Sequence, residues 1–179
     1  GEGVSLVNVI DKCCSPMGSR LLRSWLAMPS MDLKELGDRF DIVEHFTKNS
    51  ELLDGIQERI GNIGDLDRIM SRAATGKIMP REVLQLGRGL SQLGPVKSMC
   101  QGACAPLTAL VDAIDGCSDL YNDISRTLSS DAAAAIGKGD VIAKGVDAEL
   151  DRLREISHGG KEYLLKMQQR ETERTGISS

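Results

Sequence analysis

Aromatic side chains are nearly missing from this chain, which has two Phe, two Tyr and one Trp in 179 residues. So few rings cannot build the stacking platforms that hold single-stranded nucleic acids. Positive charge is not in excess either, because 22 Lys and Arg face 26 Asp and Glu for a net charge of −4. That balance argues against autonomous nucleic-acid binding, whose usual footprint is a basic face. No apolar run approaches the roughly 20 residues of a membrane span, and the N-terminus lacks the basic-then-apolar pattern of a secretory signal. The five cysteines are odd in number and irregular in spacing. They do not make a disulfide framework, and they suit a reducing, cytoplasmic compartment. The chain starts at Gly1 without a methionine and stops at Ser178-Ser179 straight after a helical pattern, as an excised piece would.

Helical periodicity is what remains. The length allows one domain, or one domain with an extension. Val4 to Cys14 reads as a short apolar helix ended by Ser15-Pro16. Residues 17–29 place Leu21, Leu22, Trp25 and Leu26 on one face before Pro29. Asp32 to Phe46 opens with a capping-box pair, Asp32 and Glu35, and carries Leu33, Leu36, Phe40, Val43 and Phe46 at helical spacing. Asn49 or Ser50 should cap a helix over Glu51 to Ile60. After Gly61 and Gly64, Asp65 begins another, with Arg68 and Arg72 one turn apart. Pro80 fits the first turn of a helix through Leu93. Pro95, Gly102, Pro106 and Gly116 break residues 94–119 into short helices with loops. Leu120 to Leu128 is one more short helix. Asp140 to Ala143 is the one strand-like piece, and its flanking glycines make it a loop. With helix following helix and no solenoid repeat, the class is all-α.

The longest helix is expected from Asp147 to Thr175. Leu150, Leu153, Ile156, Tyr163, Leu164 and Met167 fall near one face, and from Gln168 to Thr175 every residue is polar or charged. At 1.5 Å per residue it would be about 40 Å long, more than a domain of this size needs. We read it as an arm that leaves a helical core, with Gly159-Gly160 as its weak point and place of kinking. The domain boundaries are therefore 1–146 for the core and 147–179 for the arm.

No motif among these elements carries catalysis. Thr75-Gly76-Lys77 imitates a phosphate loop, but Ile78 stands where a hydroxyl must hold magnesium and Ser71 where the first glycine belongs. Gly137-Lys138-Gly139 fails at Ala132 and Gly139 for the same two reasons, so both are turns at helix ends. Cys100, Cys104 and Cys117 have no paired spacing and no histidine nearby, so small buried or half-buried thiols are the simpler reading, also for Cys13-Cys14. His45 beside an apolar face and His158 beside Gly159 serve no nucleophile. Asp65/Asp67 and Asp147/Glu149/Asp151 should point to different sides of their helices, with Asp65 and Asp147 as first-turn acids. Arg20, Arg23, Arg68, Arg72, Arg152, Arg154, Arg170 and Arg174 are a conceivable DNA-facing set, but their acidic neighbours make an ion-paired surface the better reading.

Five stretches taken in order resemble one family. M-G-S-R-L-L-R-S-W-L-A-M-P (17–29), with Asp32 and then R-F-D-I-V-E-H-F, is similar to the opening of the core domain of the MutS DNA mismatch repair proteins. Ile63-Gly64-Asp65-Leu66-Asp67-Arg68-Ile69 resembles its I-G-D-L-E-R-I segment, and Gly76 to Leu84 its G-x-x-x-P-R-[DE]-L step. Gly145 to Ile177 is similar to G-Y-D-x-E-L-D-x-L-R followed by E-R-x-R-T-G-I. Ser30, Met79 and Val146 depart from the pattern at packing and capping positions, and residues 94–135 show no clear match.

The resemblance implies a helical core with a long lever helix, and no active site in this piece. It implies a parent that is a homodimer, binds mismatched double-stranded DNA, uses ATP and Mg, and works with other mismatch-repair proteins away from any membrane. A clamp domain would follow the Arg174-Thr175-Gly176-Ile177 segment, with the ATPase further on. The lever stripe, Leu150, Leu153, Ile156, Tyr163, Leu164 and Met167, would then couple the ATPase to the clamp. The alternative is a helical interaction module whose arm pairs as a coiled coil, a role that sustained heptads would support better.

Overall fold

The computed structural model describes residues 3–176, and Lys161 in backbone only. Every regular element among them is a helix: α1 Leu6–Ile10, α2 Pro16–Ala27, α3 Leu33–Lys48, α4 Ser50–Ile63, α5 Leu66–Ala74, α6 Pro80–Met99, α7 Ala105–Asp112, α8 Ser118–Thr127 and α9 Ala148–Thr175. The all-α class is therefore as expected. The chain divides into two compact units between Val141 and Ile142. Residues 142–146 group with α9 because Arg154 donates to the Ile142 carbonyl at 3.0 Å and Gly145 N–H to Asp151 at 2.6 Å.

In the first unit α6 is the hub, packing on α4, α5, α7 and α8. Its N-terminal half buries Leu86 and Leu90 with Ile69 of α5 and Ile124 of α8. Its C-terminal end delivers Cys100 to a second cluster with Ile56 of α4 and Leu107 and Val111 of α7. Cys100 is 1% exposed, and burial pushes its thiol pKa up. Glycines let α6 come this close. A Cβ on Gly89 would lie 2.5 Å from the Ile63 carbonyl oxygen of α4, and one on Gly87 would lie 2.9 Å from Ile124 Cγ2.

Several local expectations need correction. The helix that should end at Leu93 runs on to Met99 with Pro95 inside it. Pro95 forfeits the bond to the Ser91 carbonyl, but Leu90 and Val96 are both buried, so packing on either side carries the helix through. α4 likewise continues past Gly61 to Ile63. Asn49 makes no side-chain cap there; its amide donates instead to the His45 carbonyl. α1 stops at Ile10, and Ser15 opens α2 rather than closing α1, accepting from Gly18 N–H at 3.1 Å. Cys13 and Cys14 lie between these helices and are exposed.

The capping box of α3 is half made. Asp32 accepts from Lys34 and Glu35 N–H, while Glu35 turns to Ser30 and Arg39. Only part of the face read off the α3 periodicity is covered, Phe46 and the half-buried Leu36. Leu33, Phe40 and Val43 are exposed, and Ile42 and Phe46 pack on the Ile56 cluster. The mixed pattern offers two apolar faces, and α4 and α7 cover one. The 140–143 stretch is irregular as expected, with Ser129 N–H bonding the Val141 carbonyl and Ala133 N–H that of Asp140. Both phosphate-loop imitations are turns: Gly76 (φ +66), Gly137 (φ +83) and Gly139 (φ +146) all need the left-handed region.

Candidate functional site

α9 spans 28 residues, Ala148–Thr175, without interruption. At 1.5 Å per residue its axis is about 42 Å long. Asp147 caps its start by accepting from Leu150 N–H at 2.9 Å. Gly176, at φ +71, ends it with its N–H on the Thr172 carbonyl, the left-handed cap that glycine adopts without strain. The helix is continuous through Gly159 and Gly160, the pair expected to be its weak point. Those two glycines cost about 1 kcal/mol each relative to alanine. Ion pairs one turn apart offset part of that: Arg152–Glu149 at 2.9 Å, Arg154–Asp151 at 3.3 Å and Lys166–Glu162 at 2.7 Å, the pairing that supports a helix surface.

All six residues of the stripe expected from the sequence lie on this helix. At about 100° per residue, Leu150, Leu153, Ile156, Tyr163, Leu164 and Met167 fall within an arc of roughly 140°. Leu150 is half-buried, while Leu153, Ile156, Tyr163, Leu164 and Met167 are exposed. Leu165 is exposed too but points away from the arc. Beyond Met167 the same face carries Glu171 and Arg174, paired at 2.7 Å. Ile177, which closes the last family-like motif, lies outside the described residues.

In the first unit two of the family-like stretches, 17–29 and 63–69, meet at one anchor. The Arg20 guanidinium of α2 grips Asp65 with two bonds, 2.7 and 2.9 Å, and reaches Asp67 at 2.8 Å. Asp65 also caps α5 through Arg68 N–H. The two acids were expected to diverge. They meet because Asp65 is the cap residue, in non-helical backbone (φ −101, ψ 80), so the helical two-residue offset does not apply. A second tie joins Arg72 of α5 to Glu82 of α6 at 2.7 Å, with Glu82 accepting from Met79 N–H as well. The Met79 side chain makes no cap bond, so Glu82 alone does the capping at this departure from the family pattern.

The Arg20 hydrogen bonds, helped by Arg68 N–H and opposed by partial burial, lower the Asp65 pKa from its usual 3.8 to about 2. A carboxylate with a depressed folded pKa adds stability above its unfolded pKa and loses it as pH falls towards the folded one. The thermal stability gap between the chain and Asp65→Asn, which keeps a capping side chain, should therefore stay constant near neutrality. It should close between about pH 4 and pH 2. Parallel melting curves down to pH 2 would mean that the Arg20–Asp65 contact contributes nothing.

Other candidates are dispersed. His158 Nδ1 lies 2.9 Å from the Arg154 carbonyl, and His45 meets Phe46 edge-on. Among the described residues no three His, Cys, Asp or Glu side chains are grouped as metal ligands would be, and no helix is long and apolar enough to cross a membrane.

Comparison with known sequences agrees with this arrangement. The chain matches the family described as MutS domain III over residues 1–174. It is 44% identical over 178 residues to the DNA mismatch repair protein MutS of Bacteroides fragilis (strain YCH46), covering 99% of this chain and 21% of that protein. With the protein of the same name from Christiangramia forsetii the identity is 46% over 181 residues, again 99% of this chain and 21% of the other. The chain thus spans about a fifth of the length of the curated relatives it matches. With helices throughout, two of the motif stretches joined through Arg20 and Asp65, and this breadth of similarity, the chain belongs to the MutS domain III family.

Proposed function

We propose that this chain is the core and lever segment of a DNA mismatch repair protein, and that α9 carries motion from a distant ATPase to a clamp on DNA. The observation that carries the reading is the unbroken 28-residue α9 with its open apolar stripe. A rod moves its far end only if it does not bend, and capped ends with ion pairs on its surface give it that stiffness. The stripe from Leu150 to Met167 is the face along which companion helices would travel with it. In this reading ATP, Mg and mismatched double-stranded DNA are bound by other parts of a homodimeric parent, and the chain itself is not an enzyme.

The test belongs in the full-length protein. Inserting Gly-Gly after Leu164 adds two weak helix positions and rotates everything beyond by about 200° relative to the stripe. Affinity for a mismatched duplex without nucleotide should persist, while ATP-driven release from it should slow by about tenfold or more, the usual size of an allosteric coupling. ATP-driven release at the unmodified rate would refute the lever.

A further inference from the structure

A cavity of about 700 Å³ opens between the end of α4, one face of α6 and the turn at 130–132. Six polar residues line it: Asn62, Arg81, Gln85, Arg88, Ser130 and Asp131. Among the described residues none of these six side chains hydrogen-bonds or ion-pairs with another residue. Elsewhere in this unit arginines are engaged: Arg20 by Asp65 and Asp67, Arg39 by Glu35, Arg72 by Glu82. Besides Arg68, whose side chain makes no such bond among the described residues either, Arg81 and Arg88 are the exceptions, and these two line the same space.

Their placement has a physical logic. Residues 81, 85 and 88 share one face of α6, and seven residues at 1.5 Å set the two arginines about 10 Å apart along the axis. Arg81 is the second residue of α6, where the helix dipole disfavours a cation and favours an anion. An anion between the guanidinium and the helix start would satisfy both. The opposite wall stays open because Gly61 and Gly64 have no side chains. Gly64 sits at φ +78, and a Cβ there would come 2.9 Å from Gln85 Nε2 and crowd the amide.

We propose that this cavity binds phosphate oxyanions, one on each guanidinium, with the Asn62 and Gln85 carboxamides and the Ser130 hydroxyl as further donors. Guanidinium forks match phosphate oxygens two at a time. A nucleic-acid strand presents one singly charged phosphate per nucleotide, and two long guanidinium side chains set about 10 Å apart along α6 can each take one. Asp131 limits the local charge to one net positive, which favours singly charged diesters over dense polyanions. The inference does not depend on the lever reading of α9.

The experiment is an amide chemical-shift titration of this chain with a short DNA duplex in one arm and inorganic pyrophosphate in the other. Saturable shifts at residues 61–64, 81–88 and 130–132 are expected. Response to the duplex at lower concentration identifies a nucleic-acid backbone, and response to pyrophosphate at lower concentration identifies a free phosphate ligand. Arg81→Gln combined with Arg88→Gln should weaken binding at least about tenfold. Asp131→Asn should tighten it about threefold by removing one repulsive charge, and it decides the matter should the double variant melt early. Shifts spread evenly over all basic segments, or indifferent to these substitutions, would overturn the site. So would an acidic peptide that moves the same residues at lower concentration than either phosphate probe, because the cavity would then be a carboxylate dock.

Discussion

Gly89→Ala should lower the melting temperature by roughly 4–8 °C. In a helix interior alanine gains about 1 kcal/mol over glycine. Here, however, the new Cβ would sit 2.5 Å from the Ile63 carbonyl oxygen, and a backbone atom at a helix crossing cannot turn aside. Pushing α4 from α6 costs about 3 kcal/mol, the upper end for overpacking, which leaves a net loss of about 2 kcal/mol. For a chain of this size each kcal/mol moves the midpoint by about 2–4 °C. Two companions give the sign its meaning. Gly87→Ala meets Ile124 at Cγ2 (2.9 Å) and Cβ (3.6 Å), a buried β-branched side chain with little freedom to turn, and should lose stability too, but less than Gly89→Ala, where the obstacle is backbone. Gly37→Ala in α3 meets nothing within 4 Å and should raise the midpoint by roughly 2–4 °C. If differential scanning calorimetry finds Gly89→Ala as stable as Gly37→Ala, the close α4–α6 crossing is wrong.

A larger loss is expected from Ile69→Ala. Ile69 is 4% exposed and is the buried residue through which α5 joins Leu86, Leu90 and Ile124. Truncating such a side chain costs about 2–5 kcal/mol through lost transfer free energy and the cavity left behind. With nine residues α5 cannot stand alone, so we place the loss at about 3–4 kcal/mol and the shift at roughly 6–16 °C. Ile69→Val, which removes a single methylene, should lose only about 1 kcal/mol. Equal melting temperatures for the two variants would show that α5 lies outside the cooperative unit. The Ala variant should also narrow the pH dependence assigned to Asp65, because Asp65 caps the helix that Ile69 holds down.

Residue periodicity revealed the helical class and the extent of α9, because a single-sided stripe between Asp147 and Gly176 needs only local information. It misjudged α6. Reading Pro95 as a stop weighs one missing hydrogen bond, whereas the burial of Leu90, Val96 and Cys100 on either side comes from partners far along the chain. For the same reason local pattern does not mark α6 as the hub of the first unit. The exposed face of α3 follows this rule too, since two apolar stripes on one helix do not say which neighbour will cover which. Arg20 with Asp65 was invisible to local reading because its partners are 45 positions apart. The Arg81–Arg88 pair could have been found: two arginines seven apart, with glutamine between them at the i+4 position, already share a face.

The stripe on α9 also works as a measuring stick. Between Leu150 and Met167 it is about 25 Å long, and past it the Glu171–Arg174 pair makes the same face hydrophilic. A helix laid alongside would gain burial over that length and none further, so sliding it towards Thr175 strands apolar surface at both ends. Gly160 falls within the stripe and has nothing within 4 Å of where a Cβ would stand, which makes a notch between Ile156 and Tyr163/Leu164. One bulky side chain on a companion helix can drop into that notch in one register only. For a companion helix laid there, the glycine that weakens the rod would also be the mark from which alignment is counted.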